Sequence, residues 1–589
     1  MEVTRTFDII DWNIEKYPRE AALSGKRGSE WFHYSTEDFR DYANWVSYGL
    51  MSLGLKKGDK VATITGNRPE WNFVDMGLSQ AGMIHVPIYP TIGSEEYEYI
   101  FKHAGIKVII FSNPGIYKRI KDVIPSVKGI EAVFSFDEVE GVKGFDELIQ
   151  AGKDRADEFA EPVKEIKTSV KPEDLLTVIY TSGTTGQPKG VMLSHNNLIS
   201  NVKAINDIHP FTYGDRAMSF LPLCHVYERM VNYHFYYKGI SISYVENMGL
   251  ITEYIKVVKP NVMTAVPRLL EKVYDGIINK GENLSGIKKN LFFWAVNLGH
   301  KYEMEGKSVF YKLKLGIARK LIFSKWKEAL GGNLGLMVSG SAALQPRLAR
   351  IFWAAGLPII EGYGLTETSP VIAVNPFRVG DVMFGTVGPA IPGVEVKIAE
   401  DGEILTRGPH TMMGYYNAPE LTDEVLKDGW IHTGDIGTFV DGRFLKITDR
   451  KKEIFKLSAG KYIAPQMIEN KLKESFFIEQ AMVIGENEKF ASAIIMPNFT
   501  FLHDWCSMHK VQYQDNGELV NNKEVTDRYQ KEINEINKSL GDHERIKRIR
   551  LVTDTWAPET GEMSPTLKLR RNILKKKYKH IIEEIYNFK

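Results

Sequence analysis

The chain has 589 residues, too many for a single hydrophobic core, so two or more domains are expected. Hydrophobic residues make up 43% and charged residues 25%, which is ordinary for a globular protein. Its 75 basic and 74 acidic side chains leave a net charge of +1, which argues against a chain-wide nucleic-acid footprint. Two cysteines, Cys224 and Cys506, supply no disulfide framework and fit a reducing, cytoplasmic compartment. The first residues lack the apolar core of a signal peptide, and no apolar run reaches the roughly 18 residues of a bilayer span.

Up to about residue 445, apolar strand-like runs alternate with longer helical patterns. Val61-Ala-Thr-Ile-Thr, Val108-Ile-Ile-Phe, Ala132-Val-Phe-Ser-Phe and Leu336-Met-Val-Ser are such runs. This rhythm predicts an α/β domain with largely parallel sheets, whose strand ends are where ligands usually bind. Leu175-Leu-Thr-Val-Ile-Tyr180 reads as one buried parallel strand of that kind. It runs into Thr181-Ser-Gly-Thr-Thr-Gly-Gln-Pro-Lys-Gly190, expected as the loop of a strand–loop–helix unit. Glycines let backbone N–H groups approach a phosphate, hydroxyls donate hydrogen bonds, and Lys189 adds charge. A solvated surface loop has a similar composition. Gly190 and Val191 after Lys189 exclude a Walker A loop, which needs Lys followed by Ser or Thr.

Phe220 precedes Leu221-Pro-Leu-Cys-His-Val-Tyr-Glu-Arg229, whose His225, taken by itself, reads as a core histidine sooner than as a site residue. Tyr233-His-Phe-Tyr-Tyr237 is aromatic-rich and suits the wall of an apolar tunnel or plain core. Between residues 284 and 334, Phe310, Leu313, Ile317 and Leu321 fall at helical spacing with lysines elsewhere around the helix. Gly331-Gly332 is expected to stop that helix. A basic, apolar-rich helix suits an anionic membrane surface, and an apolar stripe equally suits a core.

Val338-Ser-Gly-Ser-Ala-Ala-Leu344 is a small-residue turn after a strand. Glu361-Gly-Tyr-Gly-Leu-Thr-Glu367 contains a G-x-G without the third glycine of a dinucleotide fingerprint, so a Rossmann reading fails. Asp401-Gly402 and Asp441-Gly442 predict two hairpins of a small antiparallel unit. Trp430-Ile-His-Thr-Gly-Asp-Ile-Gly437 lies between them. The charged run Asp449-Arg-Lys-Lys-Glu453 reads as a connector. It divides a large domain, 1–449, from a small α+β domain, 450–589, with a helix from Pro465, a strand pair and a long terminal helix.

In this order the segments, ending with Met563-Ser-Pro-Thr-Leu-Lys568, resemble the signatures of the adenylate-forming superfamily, and within it the AMP-forming long-chain fatty acyl-CoA synthetases. That resemblance implies a large domain of parallel-rich sheets with a barrel-like antiparallel unit, and a small mobile C-terminal domain. It implies that Thr181, Ser182, Gly183, Thr184, Thr185, Gly186 and Lys189 wrap the phosphates of ATP. Gly340, Ser341, Glu361, Gly362 and Tyr363 would hold adenine, with Tyr363 stacked on the base. Thr366 would bond the α-phosphate, and Thr184 and Glu367 would hold Mg²⁺. Asp435 with Arg450 would bind ribose, and His225 would stand beside the reacting carboxylate.

Lys568 would bridge carboxylate and α-phosphate. The small domain would then turn about Lys452, Lys456 would contact phosphate, and the Gly460 loop would enter beside coenzyme A. Cys224, Ser341 and Ser564 depart from the frequent alanine, glycine and threonine. The activity implied is a two-step long-chain fatty acid–CoA ligase using ATP, Mg²⁺ and coenzyme A. Transfer of the acyl group to a carrier protein, a luciferase-like oxygenation and a catalytically dead, membrane-associated lipid binder are the other readings.

Overall fold

The computed structural model describes residues 2–181, 187–378, 380–558, 560–564 and 567–587. Two eight-stranded sheets form the larger part. One runs Val371–Val374, Ile359–Gly364, Leu336–Ser339, Val262–Ala265, Arg216–Ser219, Ser241–Tyr244, Leu23–Arg27 and Glu30–Tyr34. Its two outermost pairs are antiparallel and the rest parallel. The central strands are apolar runs buried along their whole length, as expected where helices cover both faces.

The other sheet runs Gly414–Tyr415, Lys189–Ser194, Leu175–Thr181, Ile84–Ile88, Lys60–Ile64, Ile106–Phe111, Ala132–Ser135 and Lys143–Gly144. Here the structure corrects the expected strand–loop–helix unit. Leu175–Thr181 pairs parallel with Ile84–Ile88 but antiparallel with Lys189–Ser194, so a strand and not a helix follows the glycine-rich segment. The helix starts later, at His195, because Ser194 caps it: its Oγ accepts from Asn197 N at 3.1 Å and Asn197 Oδ1 accepts from Ser194 N at 2.9 Å.

A five-stranded antiparallel sheet follows, and both expected hairpins are present. At the second, Asp441 and Gly442 have φ of 50° and 65°, the positive pair that a tight hairpin turn requires. This sheet sets Asp435 directly opposite Arg450.

The C-terminal part has its own core, in which Phe455, Ile468, Leu472, Val483, Ile495, Leu502 and Tyr529 are buried together. The helix Pro465–Leu472 and the antiparallel pair Ile478–Ile484 with Ser492–Pro497 match expectation. The terminal helix does not. It is two helices, Arg571–Lys577 and Lys579–Asn587, broken at Tyr578. The Tyr578 hydroxyl donates to Asp554 at 2.7 Å and accepts from Trp556 Nε1 at 2.8 Å, and these anchors override local helix propensity.

One buried polar network ties the sheets to the site. Arg229, on the helix Val226–Tyr237, pairs with Asp75 and donates to Thr177 Oγ1 at 2.8 Å. Asp75 also bonds Tyr233 and His85, the latter at 2.7 Å. Burial alone would raise the Asp75 carboxyl, but Arg229 and the His85 and Tyr233 hydrogen bonds hold it at about 2. Tyr233, Phe235 and Tyr236 of the aromatic run are therefore core, and Tyr233 is engaged in this network.

Candidate active site

The strand Ile359–Gly364 sets Glu361 and Tyr363 on one face by its two-residue period. The Tyr363 hydroxyl donates to Asp435 Oδ2 at 2.8 Å, and Arg450 Nε lies 3.3 Å from Asp435 Oδ1. Glu361 is buried, and burial pushes its carboxyl up to about 8, a Leu344 backbone hydrogen bond partly opposing. It is therefore uncharged at neutral pH. The neighbouring turn brings Gly340 against Tyr227: a Cβ there would lie 3.2 Å from that ring, whose hydroxyl donates to Val338 O at 2.8 Å. Ser341 has φ of 72°, a conformation costing a non-glycine residue about 1–2 kcal/mol.

After Gly364 the chain turns sharply. A Cβ at Gly364 would meet Pro370 O at 1.7 Å, so only glycine fits. The short turn Thr366–Thr368 buries Thr366 and leaves Glu367 half-buried. Tyr415 donates its hydroxyl to Glu367 Oε1 at 2.8 Å. Tyr415 also pairs with Val191 in the strand that begins at Lys189, whose ammonium stands 5.0 Å from the Tyr415 ring centroid. Sequence reasoning missed Tyr415; the available signal was the aromatic pair of Met413-Gly-Tyr-Tyr-Asn417. Thr181 ends its strand half-buried beside Lys189. Ser182, Gly183, Thr184, Thr185 and Gly186 lie outside the described residues.

His225 caps the helix Val226–Tyr237, its Nδ1 accepting from Tyr227 N at 3.1 Å. A backbone N–H can only donate, so in the neutral ring the proton sits on Nε2. Burial, aided by the charge of Lys568, lowers His225 to about 4, so the ring is neutral at physiological pH. Cys224 is buried, and burial pushes its thiol up, which suits packing rather than nucleophilic chemistry.

Lys568 arrives from the C-terminal part. Ser564 N donates to Lys568 O at 2.8 Å and Lys568 N to Ser564 Oγ at 3.1 Å. Burial and Arg450 lower its ammonium to about 8, against the pull of Asp435, Glu453 and Glu367. One lysine thus shares an electrostatic environment with residues more than a hundred positions away. The ion pair Arg268–Glu479 and the stacking of Tyr274 on Phe476, 6.2 Å between centroids, join the two parts.

The remaining expected residues are not gathered in. Lys452, Lys456 and Gly460 are all exposed. Gly460, at φ of 82°, tips the hairpin between Phe455–Lys456 and Tyr462–Ile463, and the Lys456 ammonium lies 5.5 Å from the Tyr462 ring centroid. No group of three His, Cys, Asp or Glu side chains suited to a metal occurs among the described residues. Glu367 instead fits a Mg²⁺ held by one carboxylate and otherwise by phosphate oxygens and water.

Fold and chain-wide similarity define the class as that of the AMP-binding enzymes: residues 10–416 match the family described as AMP-binding enzyme, and residues 452–589 the AMP-binding enzyme C-terminal domain. Within that class the chain belongs to the family of the long-chain acyl-CoA synthetases. It is 32% identical over 550 residues to the long-chain-fatty-acid–CoA ligase FadD15 of Mycobacterium bovis, covering 92% of this chain and 90% of that one. It is 34% identical over 575 residues to the peroxisomal long chain acyl-CoA synthetase 7 of Arabidopsis thaliana, covering 92% and 80%. In fold it is similar to the adenylation domain of a Mycobacterium chelonae carboxylate reductase, with TM-score 0.77, 20% identity and coverage of 99% and 91%.

Proposed function

We propose that the chain joins long-chain fatty acids to coenzyme A in two steps, with residues 1–449 holding ATP and the acid and residues 450–589 moving between steps. The observation carrying this reading is that Lys568, from the C-terminal part, is buried under the charges of Arg450, Asp435 and Glu367 and acts in turn on His225. In the first step a carboxylate oxygen attacks the α-phosphorus of ATP and the bond to pyrophosphate breaks. Thr181 and Lys189, with Ser182, Gly183, Thr184, Thr185 and Gly186, wrap the phosphates. Thr366 bonds the α-phosphate, and Lys568 spreads its charge over both reacting oxygens. The neutral Nε2–H of His225 donates to the fatty carboxylate. Gly340, Ser341, Gly362 and an uncharged Glu361 border adenine, Tyr363 stacks on it, and Asp435 and Arg450 hold ribose. Mg²⁺, on Glu367 and Thr184, neutralises phosphate charge when bound.

In the second step the coenzyme A thiolate attacks the acyl carbonyl and AMP leaves. The C-terminal part turns about Lys452, withdrawing Lys568 and bringing in Lys456 and the Gly460 loop. The local anchoring supports this pivot. Lys451 is tied to Asp401 at 2.6 Å and Glu403 at 2.9 Å in the larger part, whereas the next residue, Lys452, makes no ion pair among the described residues.

Pyrophosphate release with Mg-ATP should peak with long-chain acids and yield acyl-CoA when coenzyme A is present. Release without thioester would move the reading to a carrier-protein acceptor, and no release with any fatty acid would overturn it. Tyr415→Phe keeps the ring beside Lys189 but removes the hydrogen bond to Glu367. It is expected to raise the Mg²⁺ concentration for half-maximal rate and lower kcat roughly tenfold, with folding stability changed by about 1 kcal/mol at most. A Mg²⁺ titration of the variant against the parent tests this.

A further inference from the structure

Past Lys451, the ion pairs Arg268–Glu479 and Lys473–Glu271 both run from the larger part of the chain to one stretch of the smaller, the loop from Lys473 into the strand Ile478–Ile484. Arg268 and Glu271 stand one turn apart on the helix Pro267–Glu282. Glu271 is buried and both its oxygens are engaged: one accepts from Arg268 Nη1 and the other from Gln345 Nε2, each at 3.1 Å. The Gln345 amide also donates to Lys473 O at 3.4 Å. Phe476 comes from the smaller part yet packs against the core of the larger, stacked on Tyr274 with the Arg347 guanidinium 5.9 Å from its ring centroid. An isolated, partly exposed ion pair contributes little to stability. Here Glu271 already fixes the Arg268 guanidinium in place, so less freedom is lost when Glu479 binds it.

Packing carries this contact to Lys568. Glu479 stands in Ile478–Ile484, which pairs antiparallel with Ser492–Pro497. Met482, Ile484 and Met496 of these strands share a buried cluster with Met563, and Leu567 and Leu569 pack against it. Lys568 lies between those two leucines in the chain. Close-packed side chains transmit a displacement rather than absorb it, so the placing of Glu479 governs where the Lys568 ammonium stands. A pivot at Lys452 by itself leaves rotation free, and a further contact has to choose the orientation.

We infer that Arg268 and Glu479 are positioning residues for acyl-adenylate formation: their contact seats the C-terminal part so that Lys568 reaches the site, and it breaks before the thioester step. The inference rests on the two-step reading given above. It assigns the pair opposite effects on the two steps, which a purely structural role would not produce.

The test uses single turnovers of the full chain. Glu479→Gln leaves Arg268 bonded to Glu271, so its melting temperature should match the parent. With Mg-ATP and palmitic acid, Glu479→Gln and Arg268→Gln should each slow pyrophosphate release about tenfold. Thioester formation from supplied palmitoyl-adenylate and coenzyme A should keep the parent's rate or rise a few-fold. The double variant should be no slower in the first step than the slower single one, because both changes remove the same contact; independent damage would multiply to about a hundredfold. Amide hydrogen exchange of the ligand-free chain reads the contact without chemistry. Residues 473–479 should lose protection in Glu479→Gln while the helix Lys523–Asn537 keeps it. Equal slowing of both steps, multiplying losses, or unchanged exchange at 473–479 would each overturn the inference. Should the parent release no pyrophosphate with palmitic acid, the ligase reading falls, and exchange alone then upholds or overturns the seating contact.

Discussion

Lys568→Ala is expected to slow acyl-adenylate formation by about two to three orders of magnitude. Thioester formation from supplied acyl-adenylate should stay within a few-fold of the parent. The asymmetry follows from position: Lys568 shares the site with Asp435, Arg450 and Glu367, whereas the Gly460 hairpin stands exposed. A charged ammonium can stabilise negative charge on a carboxylate and phosphate, and a neutral amine cannot. Because burial and Arg450 lower that ammonium to about 8, the active form predominates below this pH and is lost above it. For the free enzyme, kcat/KM of the first step should therefore fall as pH rises through about 8. Lys568→Arg should be slower at every pH but lose that alkaline fall, since a guanidinium stays charged. Single-turnover assays of each half-reaction across pH separate these outcomes, and equal loss of both steps in Lys568→Ala would refute the division of labour.

Arg229→Met should destabilise the larger part of the chain by about 3–5 kcal/mol, because it strands the Asp75 carboxylate in a buried site. Adding Asp75→Asn should restore a substantial part of that loss, as expected when the cost is an unpaired charge rather than a cavity. The pH dependence has a definite sign. Asp75 falls from 3.8 to about 2 on folding, so its contribution is complete above the higher value and fades as pH drops through the lower one. The parent should thus lose stability between about pH 4 and pH 2, while the double variant should lose less. Thermal melts followed by tryptophan fluorescence at several pH values check both. Activity should fall with stability, since the network joins Thr177, in the strand entering the glycine-rich segment, to the helix capped by His225. Melts of Arg229→Met within 1 °C of the parent would reject this account, since about 3–5 kcal/mol should shift a part of this size by roughly 3–5 °C.

Much of this was legible because it is local. Asp401-Gly402 and Asp441-Gly442 announce hairpins through backbone that only such residues adopt readily, and both hairpins are present. Gly331 and Gly332, at φ of 89° and 83°, end the helix as their chemistry requires. The motif order was readable residue by residue, without any knowledge of distance. The failures are local rules overridden from afar. The glycine-rich segment enters a strand because Lys189–Ser194 finds a partner on each side, a pairing no window of sequence contains. The terminal helix breaks because Tyr578 is held by Asp554 and Trp556.

The sequence by itself determined the family, the order of the binding segments and the places where the backbone must turn, because each rests on residue type within a short window. Only the tertiary structure decided that Tyr415 meets Glu367, that Lys568 comes under the charge of Asp435 while the Gly460 hairpin stands exposed, and that the stripe from Val309 to Leu321 faces outward. Periodicity shows that a helix has an apolar face but not what covers it, and a proton affinity depends on charges that only the fold brings near.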